Sequence, residues 1–186
     1  MRRSAKRIAA RLAREIIEML ASSLDARGKG NISWVAWRVK SDTSIFNKIK
    51  RFGELPAMND LIGIRVVLLR AGLIEAAVLA VRSWARTREM QLNEEDDRFV
   101  MAGEDNYRSV HLDYSFLRPG DIYLDAMCGV EIQVSTYLQD LHSELSHRLL
   151  YKKTNDGFPR DALAEISRQL GIVDRAIAEM LKFAEE

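Results

Sequence analysis

Two segments between residues 105 and 135 alternate between apolar and polar residues, and this period of two constrains the fold more than any other feature. In SVHLDYSFL every second residue from Val110 to Phe116 is apolar, and GVEIQVST alternates in the same way. The polar residues in between are His111, Asp113, Ser115, Glu131, Gln133 and Ser135. Strands with one buried and one polar face produce this pattern, and the PGD turn at 119–121 separates them. The pattern predicts a sheet with one polar face, which is either a solvated surface or a site.

The composition is that of an ordinary globular domain. The 186 residues are 47% hydrophobic and 30% charged, so the chain is long enough to bury a core. The net charge of +1 gives no overall attraction for polyanions, so nucleotide or nucleic-acid binding must come from local clusters. The single cysteine, Cys128, excludes a disulfide framework and has apolar neighbours typical of a buried side chain. No apolar run approaches the roughly 20 residues of a membrane span, and no signal peptide is recognisable, so we expect a cytoplasmic protein.

Residues 2–23 predict a helix, since apolar residues recur at helical spacing from Ile8 to Leu20. The cations of its first half are Arg2, Arg3, Lys6, Arg7, Arg11 and Arg14, and no acid lies among them. A solvated helix face is one interpretation. A contact with a nucleic-acid backbone is the other, because clustered cations bind phosphates whatever the base sequence. The polar, glycine-containing segment 25–31 indicates a linker.

A β-prone segment followed by a short helix, between residues 33 and 51, concentrates several cations. Arg38 and Lys40 alternate along the extended part and so share a face. Ser41 or Asp42 is the expected N-cap of the helix. The helix residues that share one face are Ser44, Lys48 and Arg51. Such a cluster suits the triphosphate of a nucleotide, although scattered cations on a short helix also serve solubility.

Residues 58–69 indicate a polar start and then a buried strand, with Asp60 near its beginning and Arg65 inside it. A charged residue in an apolar run is costly without a partner, so we expect Arg65 to reach a carboxylate or a ligand. Residues 71–90 predict an amphipathic helix that places Trp84 in the core.

The acidic run at 94–97 indicates a solvated turn before a short strand at 98–101. Residues 136–153 predict a further helix, one stripe of which holds Asp140, Glu144, His147 and Tyr151. The spacing of His142 and His147 does not put both on one helix face, so we expect no zinc site. The last helix, 162–183, provides packing or an oligomer surface.

Several groups of these residues, taken in chain order, match a known pattern. They are Arg38-Val-Lys40 with Ser44, Lys48 and Arg51; Asp60-Leu-Ile-Gly-Ile-Arg65; Asn106-Tyr107-Arg108-Ser109-Val-His111; Glu131-Ile-Gln133; and His147 with Tyr151-Lys152. Together they resemble the synthetase domain of the RelA/SpoT family, and in particular the small single-domain alarmone synthetases, over residues 34–152. We expect no hydrolase domain of the long family members, since its metal-binding histidine pattern is absent.

The resemblance implies an α+β fold, with a mixed β-sheet flanked by helices and related to nucleotidyltransferases. It implies a basic helix and linker at 1–30, a synthetase core at 31–153 and a C-terminal helix at 154–186. The implied reaction moves pyrophosphate from ATP to a ribose 3′-hydroxyl and leaves AMP, with Mg²⁺ as cofactor.

The resemblance also implies roles for the matched residues. Arg38 and Arg65 would sandwich adenine, and the phosphates would be held by Lys40, Ser44, Lys48 and Arg51. Asp60 and Glu131 would ligate Mg²⁺, with Glu131 also accepting the proton of the attacking hydroxyl. The catalytic set is completed by Gln133. Tyr107 would stack on the acceptor base, and the other acceptor-binding residues are Asn106, Arg108 and His111.

The sequence departs from the family pattern on the acceptor side. Members that use GDP or GTP usually carry lysines before the tyrosine, whereas this chain has the acidic loop 102–106 there, beside the acids of 94–97. Acids at this place repel a 5′-polyphosphate by roughly 1 kcal/mol per near pair, even in a water-like dielectric. The positions of the family's usual arginine, asparagine and glutamate are occupied by Ser135, Asp140 and Ser146.

Three hypotheses follow. The first is an alarmone synthetase that uses GDP or GTP and makes (p)ppGpp. The second keeps the chemistry but modifies the 3′ end of tRNA, as toxic small relatives paired with an antitoxin protein do. The third is a catalytically silent nucleotide-binding regulator, against which the retained Asp60 and Glu131 argue. The implied partners are ATP, a guanine nucleotide or tRNA, an antitoxin and further copies of the chain, but no membrane.

Overall fold

A mixed β-sheet with helices on both faces organises the chain. The computed structural model describes residues 2–24, 30–52, 61–97, 109–116, 129–151 and 160–183. The helices are α1 (Arg2–Leu24), α2 (Asp42–Phe52), α3 (Ile74–Thr87), α4 (Tyr137–Tyr151) and α5 (Arg160–Phe183). The strands are β1 (Ile32–Val39), β2 (Ile62–Leu68), β3 (Met90–Asp97), β4 (Val110–Phe116) and β5 (Val130–Thr136).

Within the described residues, the strands follow the order β1-β2-β5-β4-β3. The pair β2 and β5 is parallel, and all other neighbours are antiparallel. A parallel pair cannot be joined by a tight turn, and here the connection contains α3, β3 and β4. The predicted α+β fold, a mixed sheet flanked by helices, is therefore confirmed.

The apolar face of the sheet packs against α1 and α3. Ile64, Ile132 and Leu112 are register neighbours on β2, β5 and β4, and all three are buried. The core residues from α1 include Ala9, Leu12, Ile16 and Leu20, and those from α3 include Ala77, Val81 and Trp84. The predicted alternation of β4 and β5 is confirmed, because their apolar residues enter this core while their polar residues face away from it.

The polar face is partly covered by α4, and α5 packs against α4. Thr136 Oγ1 donates a hydrogen bond to Asp174 Oδ2 at 2.6 Å, and both residues are buried. Nε2 of the buried His142 lies 3.1 Å from the carbonyl oxygen of Leu163. Because buried polar groups need partners, these two bonds fix the position of α5 against the end of β5 and against α4.

The acidic run at 94–97 is part of β3 and not the solvated turn that its composition indicates. β3 pairs with β4, and Glu95 forms an ion pair with Arg82 of α3. β3 is the last strand of the described sheet. Charged residues are common on such edge strands, where they discourage pairing with other chains. The predicted strand at 98–101 lies outside the described residues, as does Cys128.

The helix predicted for 71–90 ends earlier, at Thr87, and follows a short 3-10 turn at Ala71–Leu73. Glu89 takes a left-handed conformation with φ of 53°, and the buried Met90 then begins β3. The left-handed residue Glu89 lies between the helical apolar pattern of α3 and the first residue of β3, both of which the predicted helix included. None of the helices in the described ranges combines the length and apolar character needed to cross a bilayer.

Candidate active site

Two register rows cross the polar face of the sheet and collect most of the described candidate residues. The first row contains Arg38, Gly63, Glu131 and Asp113, on β1, β2, β5 and β4. The second row contains Ala36, Arg65, Gln133 and His111 on the same strands. Rows lie about 7 Å apart along the strands, and neighbours within a row lie about 5 Å apart. The strand order thus gathers side chains from four strands into an area that a nucleotide can cover.

Glu131 lies at the centre of this area. Nδ1 of His111 is 3.1 Å from Oε1 of Glu131. Burial acts to raise the pKa of the Glu131 carboxyl, but hydrogen bonds from His111 and Gln133 and the charges of His111 and Arg38 outweigh it, so the pKa is lowered. Glu131 is therefore ionised at neutral pH, as a metal ligand or proton acceptor has to be.

The side chain of Arg38 lies over Gly63, the residue between it and Glu131 in the first row. A Cβ atom on residue 63 would lie 3.1 Å from Nε and 3.2 Å from Cγ of Arg38. Because the backbones of β1 and β5 are two strands apart, roughly 10 Å, the arginine must cross β2 to influence the carboxylate. Glycine leaves the space for this path, and the charge of Arg38 contributes to the lowered pKa of Glu131.

Arg65 is held by a carboxylate from α4. Its Nη1 lies 2.7 Å from Oδ1 of Asp140. This confirms the prediction that a charged residue inside a buried strand has a partner. Burial raises the pKa of Asp140, and the neighbouring Arg65 offsets only part of that effect. The pair fixes the guanidinium above the second row.

A cleft of about 260 Å³ opens above the two rows. Its lining includes Trp34, Ala36, Arg38, Arg65, Glu131 and Glu144. Ala36 carries only a methyl group and is the register partner of Arg65, so the floor beside that arginine has room for a flat ring. Glu144 belongs to the predicted stripe of α4, and its Oε1 accepts a hydrogen bond from Arg148 at 2.8 Å.

The junction of β1 and α2 carries two further candidates, Lys40 and Ser44. The backbone N–H of Lys40 donates to the carbonyl of Leu61 at 2.9 Å, which ties the junction to the start of β2. Ser41 is the N-cap, since its Oγ accepts the N–H of Ser44 at 3.2 Å. The Ser41 and Ser44 hydroxyl oxygens lie 2.8 Å apart. A capped helix N-terminus with hydroxyl groups is suited to phosphate oxygens.

The structure brings part of the predicted site together. Four predicted residues line the cleft: Arg38, Arg65, Glu131 and Gln133. His111 contacts Glu131 from β4. Lys48 and Arg51 lie on α2, but their side chains are outside the description. The predicted residues outside the described ranges are Asp60, Asn106, Tyr107 and Arg108.

Gly63 and Trp34 were not among the predicted site residues. A glycine inside a buried strand is a known signal of close approach by a neighbour, so Gly63 carried a sequence signal. No sequence signal identified Trp34, because the exposure of an aromatic residue on an edge strand depends on what packs against it.

Among the described residues, no group of three or more histidine, cysteine, aspartate or glutamate side chains is arranged to hold a metal ion. Glu131 is nonetheless an ionised oxygen ligand of the kind that Mg²⁺ prefers. Asp60, the second predicted ligand, lies outside the described residues, so the pair stays a prediction.

Comparison with known proteins identifies relatives of this fold. A family model described as "Region found in RelA / SpoT proteins" matches residues 37–156, which is more than half of the chain. No curated protein sequence matches the chain.

Among solved structures, a GTP pyrophosphokinase family protein from Streptococcus pneumoniae has a TM-score of 0.78 at 22% identity, over 95% of this chain and 88% of its own. Small alarmone synthetase 1 from Bacillus subtilis, bound to its product pppGpp, has a TM-score of 0.78 at 20% identity, over 98% and 95%. Small alarmone synthetase 2 from the same organism has a TM-score of 0.77 at 22% identity, over 97% of both chains. At these identities the likeness concerns the fold.

Proposed function

The chain belongs to the RelA/SpoT family, and we propose that it is a pyrophosphotransferase acting from ATP on a ribose 3′-hydroxyl. The observation that carries this proposal is the setting of Glu131. Its ionised carboxylate borders a cleft that also contains Arg38 and Arg65, and it accepts a hydrogen bond from His111. A proton acceptor beside fixed cations is what transfer of a charged phosphoryl group to a hydroxyl requires.

In the proposed reaction, the 3′-hydroxyl oxygen attacks the β-phosphorus of ATP. The bond from that phosphorus to the α,β-bridging oxygen breaks, AMP leaves, and Glu131 accepts the hydroxyl proton. Arg38 and Lys40 compensate the negative charge of the phosphates, while Ser44 and the N-terminus of α2 orient them. Glu131 and Asp60 would hold Mg²⁺, which supplies further charge compensation when bound.

Replacement of the central carboxylate tests this proposal. With γ-labelled ATP, Mg²⁺ and an acceptor, we expect label on the acceptor and a loss of about 10²- to 10⁴-fold in Glu131→Gln, the usual effect of losing a general base. Glu165→Gln, the same change at an exposed residue of α5, is the control and retains the wild-type rate. Failure of the wild-type protein to label any nucleotide or tRNA contradicts the proposal and favours the hypothesis of a catalytically silent nucleotide-binding regulator.

GDP or GTP is the first acceptor that we propose, with (p)ppGpp as product. Family membership supports it, and the similar fold of Bacillus subtilis small alarmone synthetase 1 was solved with pppGpp bound. In this case the guanine nucleotide's 3′-hydroxyl faces Glu131, and its 5′-phosphates extend away from the ATP.

The 3′ end of tRNA is a second candidate acceptor, favoured by the acids next to Glu131. Asp113 is the register neighbour of Glu131, and Glu94 of β3 is the register neighbour of Asp113, so these carboxylates share one face. A 5′-polyphosphate close to them meets repulsion of roughly 1 kcal/mol per near pair. The terminal adenosine of a tRNA brings no polyphosphate to this place.

One labelling experiment separates the two acceptors. γ-Labelled ATP is supplied with GDP and GTP, with deacylated tRNA, or with tRNA whose terminal ribose has been oxidised by periodate. Label on guanine nucleotides alone eliminates the second candidate, and label on intact but not oxidised tRNA alone eliminates the first. Asp113→Asn provides a further check, since it raises the use of GTP relative to tRNA if the acids repel the 5′-phosphates.

A further inference from the structure

Trp34 and Tyr137 form an aromatic pair at the cleft, and the mechanism above assigns them no role. Their ring centroids are 5.2 Å apart and their planes meet at 80°, an edge-to-face contact. Trp34 is 39% exposed and Tyr137 45% exposed, whereas Trp84, which serves packing, is 6% exposed. Large aromatic side chains that are exposed to solvent beside a cleft are typical of ligand sites. Exposed apolar surface is unfavourable in water, and a bound ligand can cover it.

Trp34 lies on the same face of β1 as the arginine of the first row. Residues 34, 36 and 38 alternate on this strand, and their register partners are Val67, Arg65 and Gly63. Trp34 therefore stands about 13 Å from Arg38 along the strand. Ala36, which carries only a methyl group, lies between them and leaves this stretch of the floor open.

Tyr137 begins the stripe of α4 that faces the cleft. Asp140 and Glu144 follow it at intervals of three and four residues, so the three side chains share one side of the helix. Asp140 holds Arg65, Tyr137 contacts Trp34, and Glu144 lines the cleft. One helix stripe thus supports both the arginine and the indole. An edge-to-face pair also leaves a ring face of the pair open to a ligand.

We propose that Trp34, supported by Tyr137, is a wall of the pocket that binds the base of the donor nucleotide, an inference that rests on the proposed pyrophosphate transfer. The ligand is the flat purine ring of a nucleoside triphosphate, placed above Ala36 with the indole against it. Its triphosphate extends past Arg38 toward Lys40 and the N-terminus of α2. Stacking on an aromatic face acts on any base, so Trp34 adds affinity to the two arginines rather than base selection.

Binding of α,β-methylene ATP, measured by calorimetry, tests the assignment. This analogue carries the base and the phosphates, but the methylene group replaces the bridging oxygen whose bond breaks in the reaction. We expect Trp34→Ala to bind it about tenfold more weakly, within the range for loss of one base–aromatic stack, and Trp34→Phe to recover most of the affinity. In catalysis the KM for ATP rises similarly, and kcat at saturating ATP changes little.

Phe183→Ala is the control. Phe183 is an aromatic residue of α5 that is 79% exposed, and it is not among the residues that line the cleft. Its affinity for the analogue stays within about twofold of wild type, since no base stack is removed. A tenfold loss in this variant as well overturns the assignment of the effect to Trp34.

Inorganic tripolyphosphate is the second probe, because it lacks a base. Trp34→Ala and wild type bind tripolyphosphate equally if the indole contacts the base alone. An equal loss of affinity for both probes shows instead that Trp34 shapes the cleft, and it overturns the proposal.

Unchanged analogue affinity in Trp34→Ala, with transfer intact in wild type, overturns this inference and not the proposed function. Weaker binding in the variant, with no transfer by wild type to any acceptor, upholds the inference and overturns the function.

Discussion

Gly63 lies directly beneath the side chain of Arg38, so close that a Cβ atom on residue 63 would stand 3.1 Å from Nε of the arginine. The neighbouring position in the same row is Glu131. One methyl group at residue 63 would therefore act first on Arg38, since the three atoms nearest to it all belong to that side chain.

Gly63→Ala is expected to lower the transfer rate without unfolding the protein. The arginine must shift by a few tenths of an ångström, and misplacement of a positioning group costs up to about 100-fold for a full ångström, so we expect a loss of roughly three- to tenfold in kcat/KM. The melting temperature stays at the wild-type value. Gly72→Ala is the control, because a Cβ atom there meets nothing within 4 Å. A wild-type rate in Gly63→Ala would show that the position of Arg38 is unimportant.

His111→Phe is expected to move the acid limb of the pH–rate profile to higher pH. The ring is kept, but the hydrogen bond and the charge that help to lower the pKa of Glu131 are lost, so the pKa of that carboxyl rises. Glu131 accepts protons only when ionised, and activity therefore fails at a higher pH as acid is added. Ser115→Ala, on the same face of β4, is expected to leave the limb in place. An unshifted limb in His111→Phe argues against Glu131 as the titrating group.

Asp140→Asn is expected to change how stability depends on pH. Burial raises the pKa of the Asp140 carboxyl in the folded protein, so the folded protein binds a proton at this carboxyl more tightly than the unfolded chain does. Protonated Asp140 therefore stabilises the folded protein in acid, and this stabilisation is lost as the pH rises through the folded-state pKa. Asparagine does not titrate and its oxygen still accepts from Arg65. The free energy of unfolding of the variant should therefore fall less than that of wild type when urea titrations are compared at increasing pH above about 4.

Asp140→Ala provides the contrast to the asparagine variant. It removes the acceptor as well as the charge and leaves the guanidinium of Arg65 without it. We expect a loss of about 1 kcal/mol in unfolding free energy, kept small because Arg65 is partly exposed to water. Equal stability of the alanine and asparagine variants contradicts a holding role for this pair.

Thr136→Val is expected to destabilise the packing of α5 against the junction of β5 and α4. The hydroxyl donates to the buried Asp174 at 2.6 Å and accepts the N–H of Gln139 at 3.2 Å, so valine removes both bonds at nearly constant volume. Loss of a buried charged hydrogen bond together with a helix cap costs about 2 kcal/mol. Thr136→Ser keeps the hydroxyl and is expected to retain most of the stability in thermal melts. A wild-type melting temperature in the valine variant would refute this.

Features that depend on near neighbours in the chain could be predicted from the amino-acid sequence alone. Side-chain alternation assigned Val110 and Ile132 to the core and His111 and Glu131 to the polar face, since each successive strand residue points the opposite way. Local chemistry also limited the N-cap of α2 to Ser41 or Asp42, and the structure has it at Ser41. The need of Arg65 for a partner followed from the cost of an unpaired charge in a buried strand.

The residues that lie opposite one another became known from the three-dimensional fold. It placed Arg38 over Gly63 beside Glu131, and it supplied Asp140 as the partner of Arg65. It also turned the acids at 94–97 into a strand beside β4. Strand order and register depend on how all the strands pack on one core. They are therefore set jointly by segments that are distant in the chain, and a local pattern of residues does not encode them.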